Sequence, residues 1–430
     1  MRALPKPRVW VWLLVVLVTQ MAHGAASDPE RLTDLARRAE AELRQNILPF
    51  WLAHVPHPGR DGFYGEAHNP GQPRESASRA ALMTSRILWT FSAAFRRYGD
   101  PAYREMADRA YQDLTANFRD EAHGGYLWSI TADGAPLQTF KHLYGQAFAL
   151  YSLSEYYRAT GVTAARERAI ELFRLIEEKT RDHPNGGYFE SFTREWQRTP
   201  EGQPTVIGPG HAKSQNAHLH LMEAYAALLR AWPDEQVRAA QRELVEVMLS
   251  RILDPKTAHL GMYFDEDWTP RSDVISYGHD IEFAWLVTEA ATELGDAELL
   301  TRVRPVAVRI AEVTLAEGVE PDGAIPYEAG PEGIRNPQRD WWVPAEAAVG
   351  FLNAYQLSDD PKFARAAEQQ WEFIERHFID RENGEWHASL DAQNAVVPRM
   401  SKANPWKCPY HNGRACLELV QRVRALTAQP

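Results

Sequence analysis

The chain has 430 residues, 44% of them hydrophobic, enough to bury a large core and long enough for two or three domains unless it closes into one barrel. Its 47 basic and 58 acidic residues give a net charge of −11 with no long run of either sign, which argues against nucleic acid or another polyanion as a partner. No Gly-rich phosphate loop stands in a strand-to-helix setting, so nucleotide chemistry has no support, whereas 14 Trp, 16 Tyr and 16 Phe direct attention to aromatic-lined clefts.

At the N-terminus, Arg2, Lys6 and Arg8 precede an apolar run over 9–18 and then a small-residue stretch over 22–26. The run is too short to span a bilayer and reads as a cleaved signal peptide of residues 1–25, ahead of a single domain over 26–430. The mature protein is therefore expected to be periplasmic or secreted, with no membrane attachment after cleavage, as a monomer or weak dimer. Cys408 and Cys416, eight apart on what reads as one helix, are expected to be free thiols.

After a first helical pattern over 29–52, a Gly-aromatic motif recurs six times, at Gly62, Gly125, Gly187, Gly261, Gly323 and Gly384, in steps of 63, 62, 74, 62 and 61 residues. Such a period accommodates two helices and a connecting hairpin. Apolar residues at helical spacing fill the intervals in pairs: 80–98 with 101–118, 143–160 with 164–179, 217–232 with 234–253, 279–294 with 297–315, and 344–357 with 361–378. The last helix, 410–426, has no sequence neighbour and is expected to pair with the first. The motif segments alternate like short β-hairpins, as in 125–130 followed by Asp133-Gly134. The expected fold is all-α, an (α/α)6 barrel of six helical hairpins in a ring, with short β-hairpins at one mouth. The longest interval carries a Gly/Pro-rich loop over 198–213, with Pro200, Pro204 and Pro209, of the kind that often forms a lid.

Because each hairpin leads directly into the next helix, helix starts from every repeat gather at one mouth. The unusual polar groups fall there: Arg79 and Arg86, His142 and Tyr144, Asn216 with His218 and His220, His279 with Glu282, Trp341 and Trp342 with Glu346, and Trp406 with His411 and Arg414. One helical histidine alone is usually a packed or surface residue, but a ring geometry converges several. Asn216 and His220, four apart, and His279 and Glu282, three apart, each share a helix face. Imidazoles near positive helix ends suit proton abstraction beside an anionic intermediate. No His-x-x-x-His or Cys pair is present, so neither metal nor cofactor is expected. An inverting glycoside hydrolase would rest on paired carboxylates, with Glu282 and Glu346 the main candidates. A non-catalytic sugar-binding module would use the Trp and Arg but not the imidazoles.

Several stretches resemble the N-acylglucosamine 2-epimerase superfamily, and within it the cellobiose 2-epimerases. They are Ser85-Arg86-Ile87-Leu88-Trp89-Thr90-Phe91, Lys141-His142-Leu143-Tyr144, the run from Asn216 to Tyr225, Gly278-His279-Asp280-Ile281-Glu282, Trp341-Trp342-Val343-Pro344-Ala345-Glu346 and the run from Trp406 to Arg414. The resemblance implies a disaccharide substrate epimerised at C2 of its reducing-end glucose. It implies His279 and His411 as acid/base groups at C2, and His220 in ring opening and closing. Arg86, Tyr144 and Asn216 would hold the opened sugar, Glu282 would orient His279, and Trp342 and Trp406 would stack on the two rings. A mannose isomerase of the same superfamily is the nearest alternative. In the lid loop, relatives often carry Ser and Asp where this chain has Thr205 and Gly208.

Overall fold

The computed structural model describes residues 28–203, 205 and 208–428. The expected signal peptide and Pro204 of the lid loop lie outside them. Six inner helices, Ala81–Tyr98, Leu143–Thr160, Gln215–Ala231, Tyr277–Leu294, Trp342–Ser358 and Tyr410–Thr427, pack side by side, and the last closes on the first. Along their first turns these helices are buried nearly all round, with Asn216 and His279 partly open to the mouth, as expected of the inner wall of a barrel. The outer helices occupy 28–54, 101–118, 163–180, 235–252, 297–318 and 361–378, each with one apolar stripe turned inward. The helix over 28–54 packs on Tyr410–Thr427, the pairing expected of the two helices without sequence neighbours. The (α/α)6 barrel is therefore the observed fold.

Five outer helices carry a π turn, four of them in the last turn before the Gly motif: Leu114–Phe118, Met248–Ile252, Thr314–Gly318 and Ile374–Phe378. The fifth, Leu43–Ile47, interrupts the helix over 28–54 and leads directly into Leu48–His54, whose second residue is proline. The hairpins are shorter than the alternation suggests, only two to four residues per strand. Each extended segment entering an inner helix pairs antiparallel with the hairpin of the following repeat: Arg79 with Ile130, Lys141 with Phe192, Lys213 with Phe264, Ile275 with Ala329, and Arg339 with Leu390. Ala403 pairs with Ala67 and closes the circle. In three repeats the entering segment also buries a lysine on the aspartate of the preceding turn: Lys141 on Asp120 at 2.9 Å, Lys213 on Asp182 and Lys402 on Asp380, both at 2.7 Å. These contacts fix where each inner helix begins, and hence where its first side chains point.

Candidate active site

At this mouth lies a cleft of about 680 Å³, lined by Arg86, Tyr144, Asn216, His220, His279, Glu282, Trp342, Trp406 and His411 among others. With Trp341, these make ten of the fifteen mouth residues singled out from the sequence. Glu346 is buried behind His411. Tyr327, Asp340 and Glu66 also line the cleft. Tyr327, Asp340 and Glu66 escaped the sequence reading because they lie on connections between helices, outside the helix-start pattern it followed. Trp342 is wedged between two histidines, its ring 4.7 Å from that of His279 and 5.6 Å from that of His411. Trp406, at 38% exposure, stands at the rim and is the most open aromatic of the wall.

The three cleft histidines are each engaged through Nδ1, but by different partners. His411 Nδ1 lies 2.7 Å from Glu346 Oε1, and His220 Nδ1 lies 3.0 Å from Glu223 Oε2. A carboxylate only accepts, so in both rings Nδ1 carries the hydrogen and Nε2 is left as the basic atom. His279 Nδ1 lies 2.7 Å from Ser276 Oγ. Ser276 occupies the N-cap position of Tyr277–Leu294 but its side chain caps no backbone N–H, so its hydroxyl serves the imidazole. A hydroxyl donates or accepts, which leaves both tautomers open to His279. Glu282, expected to orient His279, instead accepts from Arg414 Nη2 at 2.6 Å, and its Oε1 is 4.0 Å from His411 Nδ1. The three-residue spacing does place it on the face of His279, but Ser276, three residues earlier, already meets the ring.

Burial pushes the His279 imidazole down to about 3, and holds those of His411 and His220 below the ordinary range, so the resting site carries neutral bases at neutral pH. Burial also pushes the Glu282 carboxyl well up, with Glu346 adding to the effect. Arg86 donates to the Tyr144 hydroxyl at 2.5 Å and to the Trp406 carbonyl at 3.1 Å, while its guanidinium lies 4.2 Å from the centre of the Phe148 ring. Asn216 Oδ1 is buried without a hydrogen-bond partner.

Other polar groups of the mouth serve the scaffold. His142 caps its own helix, Nδ1 accepting from the Tyr144 N–H at 3.3 Å. His218 accepts from the Tyr188 N–H at 2.9 Å and lies 2.8 Å from the Ser214 carbonyl. The motif glycine explains that approach, since a Cβ on Gly187, whose φ is +73°, would stand 2.8 Å from His218 Nε2. Arg79 pairs with Asp113. Cys408 precedes the helix Tyr410–Thr427 rather than sharing it with Cys416, and both thiols are buried and free. Gly208 faces the Tyr263 ring, 2.7 Å from where its Cβ would stand, and neither Thr205 nor Gly208 lines the cleft.

Glu282, Glu346 and His411 offer three ligand atoms within 4.8 Å of one another, the one such group among the described residues. The position is already served by a cation, because Arg414 donates to Glu282 Oε1 at 2.6 Å and Glu346 Oε1 at 2.7 Å. No helix among the described residues is long and apolar enough to cross a membrane.

Residues 62–415 match the family described as N-acylglucosamine 2-epimerase (GlcNAc 2-epimerase). A cellobiose 2-epimerase of Bacteroides fragilis is 40% identical over 387 residues, covering 90% of this chain and 98% of its own. Among solved structures, cellobiose 2-epimerase from Spirochaeta thermophila superposes with a TM-score of 0.85 at 40% identity, over 93% of this chain and 98% of its own. That from Bacillus thermoamylovorans does so at 0.86 and 36% identity, over 91% of this chain and all of its own.

Proposed function

Because this chain belongs to the N-acylglucosamine 2-epimerase family, and is thereby an isomerase that epimerises carbohydrates, we propose that it inverts C2 of the reducing-end glucose of β-1,4-linked disaccharides. Cellobiose would give glucosyl-mannose and lactose would give epilactose. The observation that carries this reading is the set of three imidazoles, each engaged at Nδ1, in a cleft that also presents Trp342 and Trp406. Relatives 36–40% identical over nine-tenths of the chain bear the name cellobiose 2-epimerase, which supports the choice of substrate.

The pyranose first opens, with His220 moving protons between the anomeric hydroxyl and the ring oxygen. A neutral imidazole then takes the C2 proton. The C–H electron pair forms the enediolate, whose charge gathers on O1 beside Arg86, Tyr144 and Asn216. A second imidazole, which takes up one proton from solvent before this step, delivers it to the opposite face, so that C2 is inverted, and the first then loses the proton it gained as the sugar recloses. Two groups are required because one base on one face returns the proton where it came from. His279 and His411 are assigned these two roles, and each positioned transfer contributes about 10² to 10⁴ in rate. Trp342 and Trp406 stack on the sugar rings.

Purified mature protein incubated separately with cellobiose, lactose, glucose and mannose, with products resolved chromatographically, tests the reading. Conversion of the two disaccharides to their C2 epimers is the expected result. Fructose from mannose with inert disaccharides would identify a mannose isomerase, and released monosaccharide a hydrolase. We also propose that the protein acts outside the cytoplasm. An N-terminus beginning near residue 26 in protein recovered from the periplasm or medium would support that placement, and retention of residues 1–25 in the cytoplasm would overturn it.

A further inference from the structure

One guanidinium lies beneath the cleft in contact with three carboxylates. Arg414, 1% exposed, donates to Glu282 and Glu346 at 2.6 and 2.7 Å and also pairs with Glu223 and the Tyr410 hydroxyl. Its plane lies 4.3 Å from the centre of the Tyr410 ring and 4.7 Å from that of Trp285. Two of the three carboxylates carry histidines: Glu223 holds His220, and Glu346 holds His411. The two imidazoles lie on different helices, and Arg414 is the group that touches both of their partners. His279 has no such hydrogen-bond link to it, since its Nδ1 partner is the neutral hydroxyl of Ser276.

We propose that Arg414 is a positioning residue that sets the Nδ1–H tautomers of His220 and His411 together, and leaves His279 independent. The inference rests on the epimerase reading for its catalytic consequence, though not for the tautomers themselves. Burial and Glu346 already push the Glu282 carboxyl up, and without the guanidinium Glu223 and Glu346 would follow it toward their neutral forms, because buried like charges force protons onto one another. A protonated Glu223 or Glu346 could donate to Nδ1, turning the ring over to the tautomer whose Nε2 bears the hydrogen and can no longer act as a base. Arg414 thus acts on each imidazole through two successive hydrogen bonds.

The test replaces Arg414 with Met and follows the histidine nitrogens by ¹⁵N NMR in the resting enzyme, where no turnover is needed. His220 and His411 should lose their single Nδ1–H form while His279 keeps its spectrum. In parallel, kcat should fall about 10²-fold, the scale of one positioned proton transfer, with KM changing less than about threefold. Unchanged nitrogens at His220 and His411 would overturn the proposal, as would equal disturbance of all three rings, which marks a site that has simply collapsed. Should R414M fail to fold, R414K carries the test: it keeps the charge but lacks the fork that reaches three partners, and should disturb the same two rings with a smaller fall in kcat. Because the tautomers are read without substrate, a wrong sugar assignment leaves this result intact.

Discussion

The cleft holds its histidines in two opposite ways. His220 and His411, on helices across the barrel from one another, rest on carboxylates tied to a buried guanidinium. His279, on the helix beside that of His220, rests on the hydroxyl of Ser276, a neutral group that gives up its capping role to do so. The difference shows that one ring chemistry can be tuned by its partner: a carboxylate locks a tautomer, whereas a hydroxyl lets the ring exchange its two forms without moving a charge.

The largest effect expected is from removing either ring of the C2 pair. His279→Ala or His411→Ala should cost at least about 10²-fold in kcat with the helical circular dichroism unchanged, and near-normal turnover in either would break the assignment. Next comes the lock itself: Glu346→Gln should lower kcat on the order of 10-fold to 10²-fold, because an amide sets the His411 tautomer less firmly than a carboxylate. Ser276→Ala should cost less than about 10-fold, since only a neutral hydrogen bond is lost. If Ser276→Ala proved the more damaging, the contrast between carboxylate-held and hydroxyl-held rings would be reversed. Steady-state rates on cellobiose decide all three.

Acidity sharpens the same contrast without substitutions. Burial disfavours the charged imidazole, so His279 stays a base well below the usual 6.5, and the acid limb of kcat/KM should lie below that value. Stability moves the other way. His142, His218 and His279 are pushed down to about 3, 4 and 3 in the folded chain, so below 6.5 they bind protons only when unfolded. Their contribution is intact above 6.5 and is lost progressively as the pH falls toward 4. Tm should fall over that window, and a flat Tm would show that these rings are not held neutral.

Much of this architecture was legible from the chain. The six Gly-aromatic motifs and the paired helical periods report the barrel because each repeat must bury the same inner stripe against its neighbours. Most of the cleft residues were legible because they stand near a helix start, where the repeat converges them; Trp406, in the connection before Tyr410–Thr427, was legible from the motif it belongs to. The hydrogen-bond partners were not. Glu282 stands in the right place for His279 by spacing, yet it turns to Arg414, a contact between helices 132 residues apart in sequence that no local pattern encodes. Ser276 carries no sequence signal of its own, and only the geometry shows its hydroxyl on the imidazole. Glu223 was quoted only within a longer motif, since its function depends on Tyr410 and Arg414 arriving from the far end of the chain.

The pairing of Ala403 with Ala67 has a consequence for how the gene could be cut. Since every entering segment is held by the hairpin that follows it, and the circle is complete, no point around the ring is privileged as a seam. A circular permutant joined from residue 428 to residue 28 by a flexible linker, and opened at the turn between Thr160 and Thr163, would keep every one of the six pairs. Gly161 in that turn has open space around it, so a break beside it, before Val162, leaves the contact of Val162 with the core in place. Such a chain should fold to the same barrel, with its three imidazoles carried on helices whose order along the polypeptide has been rotated but whose order in space has not.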